Sequence, residues 1–111
     1  MKKAEIWNAQ LGDTEGSEQK GYRPVLIVSG DLLNTYAPVI WVCPLTTKIK
    51  NYHGDLILSP NKKNGLKEKS EVLAMHMRSI SNERLKGKLG SISEAELDEF
   101  RSALKEILSM D

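Results

Sequence analysis

The sequence predicts a mainly β domain, a small and strongly bent antiparallel sheet or partly open barrel, closed by one C-terminal α-helix. Three observations predict it. Short apolar runs rich in β-branched residues recur from Ile6 to Ile92, turn residues separate them, and a capped amphipathic segment follows the last of them. At 111 residues the chain is expected to form one domain, residues 1–111, with a modest core.

Ile6 and Trp7 mark a first, weak strand. Pro24 to Ser29 (Pro-Val-Leu-Ile-Val-Ser) is an apolar run of the kind found in strands buried on both faces. Val39 to Leu45 reads the same way, with Pro38 and Pro44 near its ends, where a missing ladder donor matters least. Leu56-Ile57-Leu58, Val72 to Met77 and Lys88 to Ile92 complete the strands. Gly12-Asp13, Gly16-Ser17 and Gly21 bracket a polar loop over residues 10–22, and loops of that length in a compact domain are usually functional or disordered. Asn64-Gly65 is a strong turn signal.

Ser93-Glu94-Ala95-Glu96 fits a capping box, in which the serine hydroxyl and the glutamate carboxylate each satisfy an otherwise orphan backbone N–H. Ile92 before the cap and Leu97 inside it form a hydrophobic staple. Leu97, Phe100, Leu104, Ile107 and Leu108 then share one stripe, read as core or dimer packing, while Glu99, Arg101, Lys105 and Glu106 face outward. A shorter helical turn is expected to begin at Ser81.

Composition narrows function mainly by exclusion. The formal charge is +1, so no global basic field advertises a nucleic-acid partner, and any grip on one must be local. The single cysteine, Cys43, lies in an apolar run and reads as a buried, inert thiol, which excludes an intrachain disulfide and a cysteine zinc cluster. The charged N-terminus lacks the apolar stretch of a signal peptide, and no window approaches the roughly 18 apolar residues of a membrane span. A cytoplasmic, soluble protein without membrane contact is expected.

Four segments carry a resemblance. They are Gly16-Ser17-Glu18-Gln19-Lys20-Gly21-Tyr22-Arg23-Pro24 with the apolar strand behind it, Pro44-Leu45-Thr46-Thr47-Lys48-Ile49, Arg78-Ser79-Ile80, and Lys88-Leu89-Gly90-Ser91-Ile92-Ser93. In order and spacing the chain resembles the MazF/PemK (Kid) toxins, the mRNA interferases of type II toxin-antitoxin systems, from about residue 4 to residue 108. The resemblance implies an SH3-like (PemK-like) β-barrel with a C-terminal helix, working as a homodimer. It implies an endoribonuclease that cuts single-stranded RNA at short motifs, with no metal and no cofactor, leaving a 2′,3′-cyclic phosphate and a 5′-hydroxyl. It implies Arg23 and Thr46 as the catalytic pair, and a cognate antitoxin that lays an extended tail across the site.

The residue types suit that chemistry. Such cleavage uses the RNA's own 2′-OH as nucleophile, so the protein must stabilise a phosphorane-like charge, remove one proton and supply another. The arginine at position 23 offers planar, permanently charged donors to two phosphate oxygens, and the threonine at 46 can donate a hydroxyl hydrogen bond to the same charge. Arginine is a poor general base for the same reason. Glu18, in the adjoining loop, or water is open as the proton acceptor. Read without the resemblance, Arg23 is equally a strand-start cation, Thr46 an ordinary strand residue and Glu18 a solvated acid.

The chain departs from the family at two places. An acid and Gln usually precede the Arg-Thr-Ile segment, where this chain has Met75 and His76, and the first strand usually opens on Gly-Asp, replaced here by Ala4-Glu5. Because histidine as a residue type titrates near neutrality, His76 is a candidate for proton transfer or for contacting base or phosphate from the strand beside the site. A histidine satisfied by local hydrogen bonds is the alternative. Lys48, Arg78 and Ser79 are candidate RNA contacts, as are Ser17 and Gln19 for bases. Tyr22 and Tyr36 either stack bases or pack; His53 reads as a surface residue, and Lys62, Lys63, Lys67 and Lys69 as a solvated loop. Rival functions are a CcdB-like gyrase-binding toxin and a non-catalytic SH3-like binding module. A metal nuclease is remote with two histidines and no matching acidic triad.

Overall fold

A computed structural model describes residues 1–12 and 22–109. Among these residues seven strands form a curled antiparallel half-barrel: β1 (Glu5–Ala9), β2 (Arg23–Ile27), β3 (Val39–Thr46), β4 (Leu56–Leu58), β5 (Ser70–Val72), β6 (Arg78–Ser81) and β7 (Leu85–Ser91). A short helix, α1 (Asp31–Tyr36), joins β2 to β3, and α2 (Glu94–Leu108) closes the described chain. The strand order is β4-β5-β3-β2-β1-β7, with β6 also on β3. The mainly β fold with a C-terminal helix is thus as expected.

β2 and β3 carry the centre of the sheet. Val25, Leu26, Ile27, Val42 and Cys43 are fully buried, so both faces of these strands are covered, as their continuous apolar runs require. Alternation divides them between two clusters. Leu26, Cys43 and Leu45 face α2 through Ile6, Leu58, Val72 and Phe100. Val25, Ile27, Ile40 and Val42 face the other way, against Ala9, Leu11, Ile80 and Leu85. The curl comes partly from β1 and β7, whose register slips between Ile6 and Trp7 and again between Asn8 and Ala9.

The run Val72 to Met77 is not the single strand expected. β3 takes two partners in succession along one edge, β5 at Leu45 and Thr46 and then β6 from Val42 to Val39. Continuing the first register would set Val42 against Met75, yet it faces Arg78, three residues later. A 3-10 turn, Ala74–His76, takes up that excess. The last strand also starts at Leu85, three residues before the expected Lys88.

α2 begins as its sequence dictates. Ser93 Oγ accepts from the Glu96 N–H at 3.1 Å and the Ser93 N–H donates to Glu96 Oε1 at 2.8 Å. Ile92 and Leu97 pack in the α2-facing cluster, and Phe100 is its largest buried side chain from the helix. Leu108, expected on the buried stripe, is exposed, and Ala103 is buried instead. The turn foreseen at Ser81 is a 3-10 turn, Asn82–Arg84, capped by the Ser81 hydroxyl. α1 was not foreseen. Its Asn34 is buried, donating from Nδ2 to the Ser29 carbonyl and accepting from the Ser29 hydroxyl.

Asn64 anchors the lysine-bearing loop. Its Oδ1 accepts from the Asn61 and Leu66 N–H groups and its Nδ2 donates to the Ser59 carbonyl. The lysines themselves are exposed, as expected. Gly65 follows at φ 69° and lies so close to β7 that a Cβ there would strike the Leu89 carbonyl.

Candidate active site

Arg23 opens β2 and Thr46 ends β3. The ladder pairs Val25 with Pro44, and two further positions bring Arg23 opposite Thr46. Arg23 Nη2 donates to the Leu45 carbonyl at 3.0 Å, so the guanidinium is held beside the residue preceding Thr46. One N–H is spent in that bond, and among the described residues no other group takes the remaining donors of the fork, which suit an anion. Thr46 Oγ1 accepts from the Lys48 N–H at 3.1 Å, which occupies an oxygen lone pair and leaves the hydroxyl proton to donate. Both side chains are half-buried. The arrangement offers a permanent cation and a neutral donor side by side, suited to a phosphate gaining negative charge.

The other expected contacts are only partly gathered there. Lys48 is exposed, two residues beyond Thr46. Arg78 pairs with Val42, so it shares the face of Thr46 but lies four residues along β3, about 13 Å at a strand's rise. Ser79 is exposed opposite Trp41 and projects from the other face. His76 is not on a strand; it ends the 3-10 turn, exposed, with its backbone N–H donating to the Leu73 carbonyl at 3.0 Å. The expectation that it stands on a strand beside the site is therefore corrected: it is carried by a turn. Ser17, Glu18 and Gln19 lie outside the described residues. Tyr22 and Tyr36 are exposed, and His53 pairs at the surface with Glu106, Nε2 to Oε1 3.3 Å. Cys43 is buried as expected, and burial together with the charge of Asp55 pushes its thiol up to about 12.

Beside the pair is a cleft of about 280 Å³ lined by Asn8, Pro24, Thr47, Lys67, Ser70 and Leu89. Pro24 and Thr47 are the chain neighbours of Arg23 and Thr46, so the cleft adjoins the pair without containing it. Among the described residues, no group of three or more His, Cys, Asp and Glu side chains is placed to hold a metal ion.

Sequence reasoning missed a buried acid next to Thr46. Glu71 is fully buried on β5 and pairs with Thr46 across the ladder. Its carboxylate accepts from three successive backbone N–H groups, Lys50 at 2.6 Å, Asn51 at 2.7 Å and Tyr52 at 3.0 Å. Burial alone would raise its pKa, but the hydrogen bond with Asp55 and those three donors outweigh it and hold it at about 2. Asp55 is pushed up to about 6 by burial and by Glu71, against the Ala74 N–H that Oδ1 accepts at 3.1 Å. An acid abutting the apolar run Val72-Leu73-Ala74 was the available signal.

A family model described as PemK-like, MazF-like toxin of type II toxin-antitoxin system matches residues 2–108. The chain belongs to this family. Endoribonuclease MazF9 of Mycobacterium tuberculosis is 36% identical over 110 residues, covering 95% of this chain and 93% of that protein. Among solved structures, a MazE–MazF complex from Deinococcus radiodurans is 25% identical with a TM-score of 0.79, covering 100% of this chain and 97% of that one. A mycobacterial endoribonuclease in complex with its cognate antitoxin has the same fold, with a TM-score of 0.81 at 21% identity, over 100% of this chain and 97% of that one. The expected replacement of an opening Gly-Asp by Ala4-Glu5 has a conformational reading. Ala4 adopts φ 78°, a conformation natural to glycine, while its N–H donates to the Ile27 carbonyl and its carbonyl accepts from the Ile92 N–H. Glu5 replaces the aspartate and, despite the raising effect of its burial, is held at about 2 by Trp7, the Lys2 N–H and Lys88.

Proposed function

We propose that this chain is an endoribonuclease toxin that cuts single-stranded RNA, mRNA in the cell, without a metal or cofactor. The observation that carries the reading is the Arg23 guanidinium bonded to the carbonyl beside Thr46, in a chain of the MazF-like family. The 2′-OH attacks its neighbouring phosphorus, the P–O5′ bond breaks, and the products are a 2′,3′-cyclic phosphate and a 5′-hydroxyl. Arg23 neutralises the phosphorane oxygens and Thr46 donates to one of them. One proton leaves the 2′-OH and one reaches O5′. Glu18 or water takes the first and, protonated by that step, it or solvent water gives the second to O5′, with His76 as the alternative carrier. Lys48 and Arg78 bind flanking phosphates, while Ser17 and Gln19 contact the RNA nearby; Ser79, on the other face, could meet RNA only if the RNA wraps the sheet edge.

The protein works in the cytoplasm as a homodimer and is neutralised by a cognate antitoxin whose extended tail covers the site. The Deinococcus MazE–MazF complex supports such a partner. No helix among the described residues is long and apolar enough to cross a membrane. Incubation with a long single-stranded RNA in excess chelator, beside Arg23→Ala and Thr46→Ala, tests the reading. Discrete cuts with cyclic-phosphate ends, lost in both variants, are expected. RNA left intact by a protein that still arrests growth would refute the mechanism and direct the search to gyrase.

A further inference from the structure

The segment that leaves Thr46 has no regular structure of its own from residue 47 to residue 55. Its backbone N–H groups therefore need partners other than a ladder. Glu71 supplies them for Lys50, Asn51 and Tyr52, from a fully buried position directly opposite Thr46. Asp55 closes that segment and turns back to the other side, where its Oδ1 accepts from the Ala74 N–H at the start of the turn bearing His76. The two carboxyl groups are near enough to shift each other's ionisation in opposite directions, Asp55 upward and Glu71 downward. One carboxyl pair, buried Glu71 and half-buried Asp55, thus grips the loop carrying Lys48 and the turn carrying His76, the two segments flanking the end of β3.

We propose that Glu71 is a positioning residue for the nuclease site, with Asp55 as its partner: together they fix the Thr46 hydroxyl and the loop after it against the Arg23 guanidinium. This rests on the ribonuclease reading. Its logic is that a carboxylate accepting three adjacent N–H groups sets the path of the backbone, whereas a neutral amide cannot accept all three. Asp55 Oδ2 is buried and has no hydrogen-bond partner among the described residues, a want that a proton shared with the Glu71 carboxylate would meet. The low pKa of Glu71 agrees with its role as the acceptor in this unit.

The test compares Glu71→Gln with the full-length wild type on the same single-stranded RNA, with single-stranded DNA of the same sequence as an uncleavable binding probe. A fall in kcat of about 10- to 100-fold is expected, with KM and DNA affinity within about threefold, because displacement of catalytic groups costs rate more than binding. Asp55→Ala should show the same split to a smaller degree. Asp55→Asn, whose amide can donate toward Glu71 and still accept from the Ala74 N–H, should recover most of that loss. If the wild type cuts RNA and Glu71→Gln cuts with unchanged kcat, the positioning role falls and the ribonuclease reading stands. If the wild type leaves RNA intact, the ribonuclease reading itself fails and takes this inference with it. Should Glu71→Gln not fold, Asp55→Ala decides: unchanged kcat overturns the proposal, and a fall in kcat at constant KM upholds it.

Discussion

Changing pH between 4.5 and 7 perturbs the Asp55–Glu71 unit without mutation, and the structure fixes the sign of the effect. Asp55 has its pKa raised from 3.8 to about 6 by burial and by Glu71, so the folded protein binds its proton more tightly than the unfolded chain does. Stability from that proton is fully present below pH 3.8 and is lost as pH rises through about 6. Glu71 is the opposite case. Lowered from 4.5 to about 2, it contributes stability that is present above pH 4.5 and lost as pH falls through about 2. The unit therefore stabilises most near pH 4 and loses the Asp55 part by neutrality. At about 1.4 kcal/mol per pKa unit the full shift is worth about 3 kcal/mol, and solvent reaching half-buried Asp55 cuts this to about 1–2 kcal/mol. Urea unfolding at half-unit pH steps, for the wild type and Asp55→Asn, isolates the effect. The groups facing Asp55, namely Glu71, Cys43 and the Ala74 N–H, are common to both proteins, as are His53 and His76 elsewhere. The wild type should lose about 1–2 kcal/mol relative to the variant between pH 4.5 and 7. Parallel stability curves would refute the shared proton.

Arg23→Ala and Thr46→Ala should each lower kcat by about 10²- to 10³-fold with the fold retained, read from fragment ends and circular dichroism. Arg23→Lys should remain well below wild type, because a point charge does not reproduce a planar fork. Ala4→Gly should raise stability by about 0.5–1 kcal/mol, since relief of the left-handed backbone outweighs the extra chain entropy; a lowered Tm would contradict that account of φ 78°. Gly65→Ala should destabilise by more than about 2 kcal/mol, measured by urea unfolding, because its Cβ would meet the Leu89 carbonyl on a backbone that cannot give way. His76→Gln should alter the pH–rate profile if the imidazole carries a proton, and an unchanged profile would remove it from the mechanism.

What was legible in the sequence was whatever one short segment determines alone. The capping box at Ser93 specifies the start of α2, and the apolar runs around Leu26 and Val42 specify strands covered on both faces. The run Val72 to Met77 misled because all its residues but His76 are apolar, while its break is set by the partner strand. β3 pairs with β5 in one register and with β6 in another, and only that mismatch demands the Ala74–His76 turn. α1 was hidden for a related reason. Its exposed Leu32 and Tyr36 imitate no buried stripe, and the contacts that fix it run from Asn34 to Ser29 and from the Lys3 N–H to Asp31. At the site, Arg23 and Thr46 were readable from motifs, but Glu71 and Asp55 were not. Neither belongs to the four matched segments, and their meaning depends on a loop folding back upon them.

That dependence explains why an acid can occupy the interior beside Thr46 at all. A buried carboxylate without donors would shed its charge or destabilise the fold, since desolvating it costs several kcal/mol, of order 3 or more. Here the cost is offset because the loop has the complementary problem of N–H groups with no strand to bond. Replacing Glu71 by an apolar side chain would solve the first problem and leave Lys50, Asn51 and Tyr52 to find water, freeing the loop next to Thr46. The fold would then keep its sheet, since Glu71 makes its ladder pairing through backbone atoms. Only the loop's path, and with it the setting of the Thr46 hydroxyl, depends on the carboxylate.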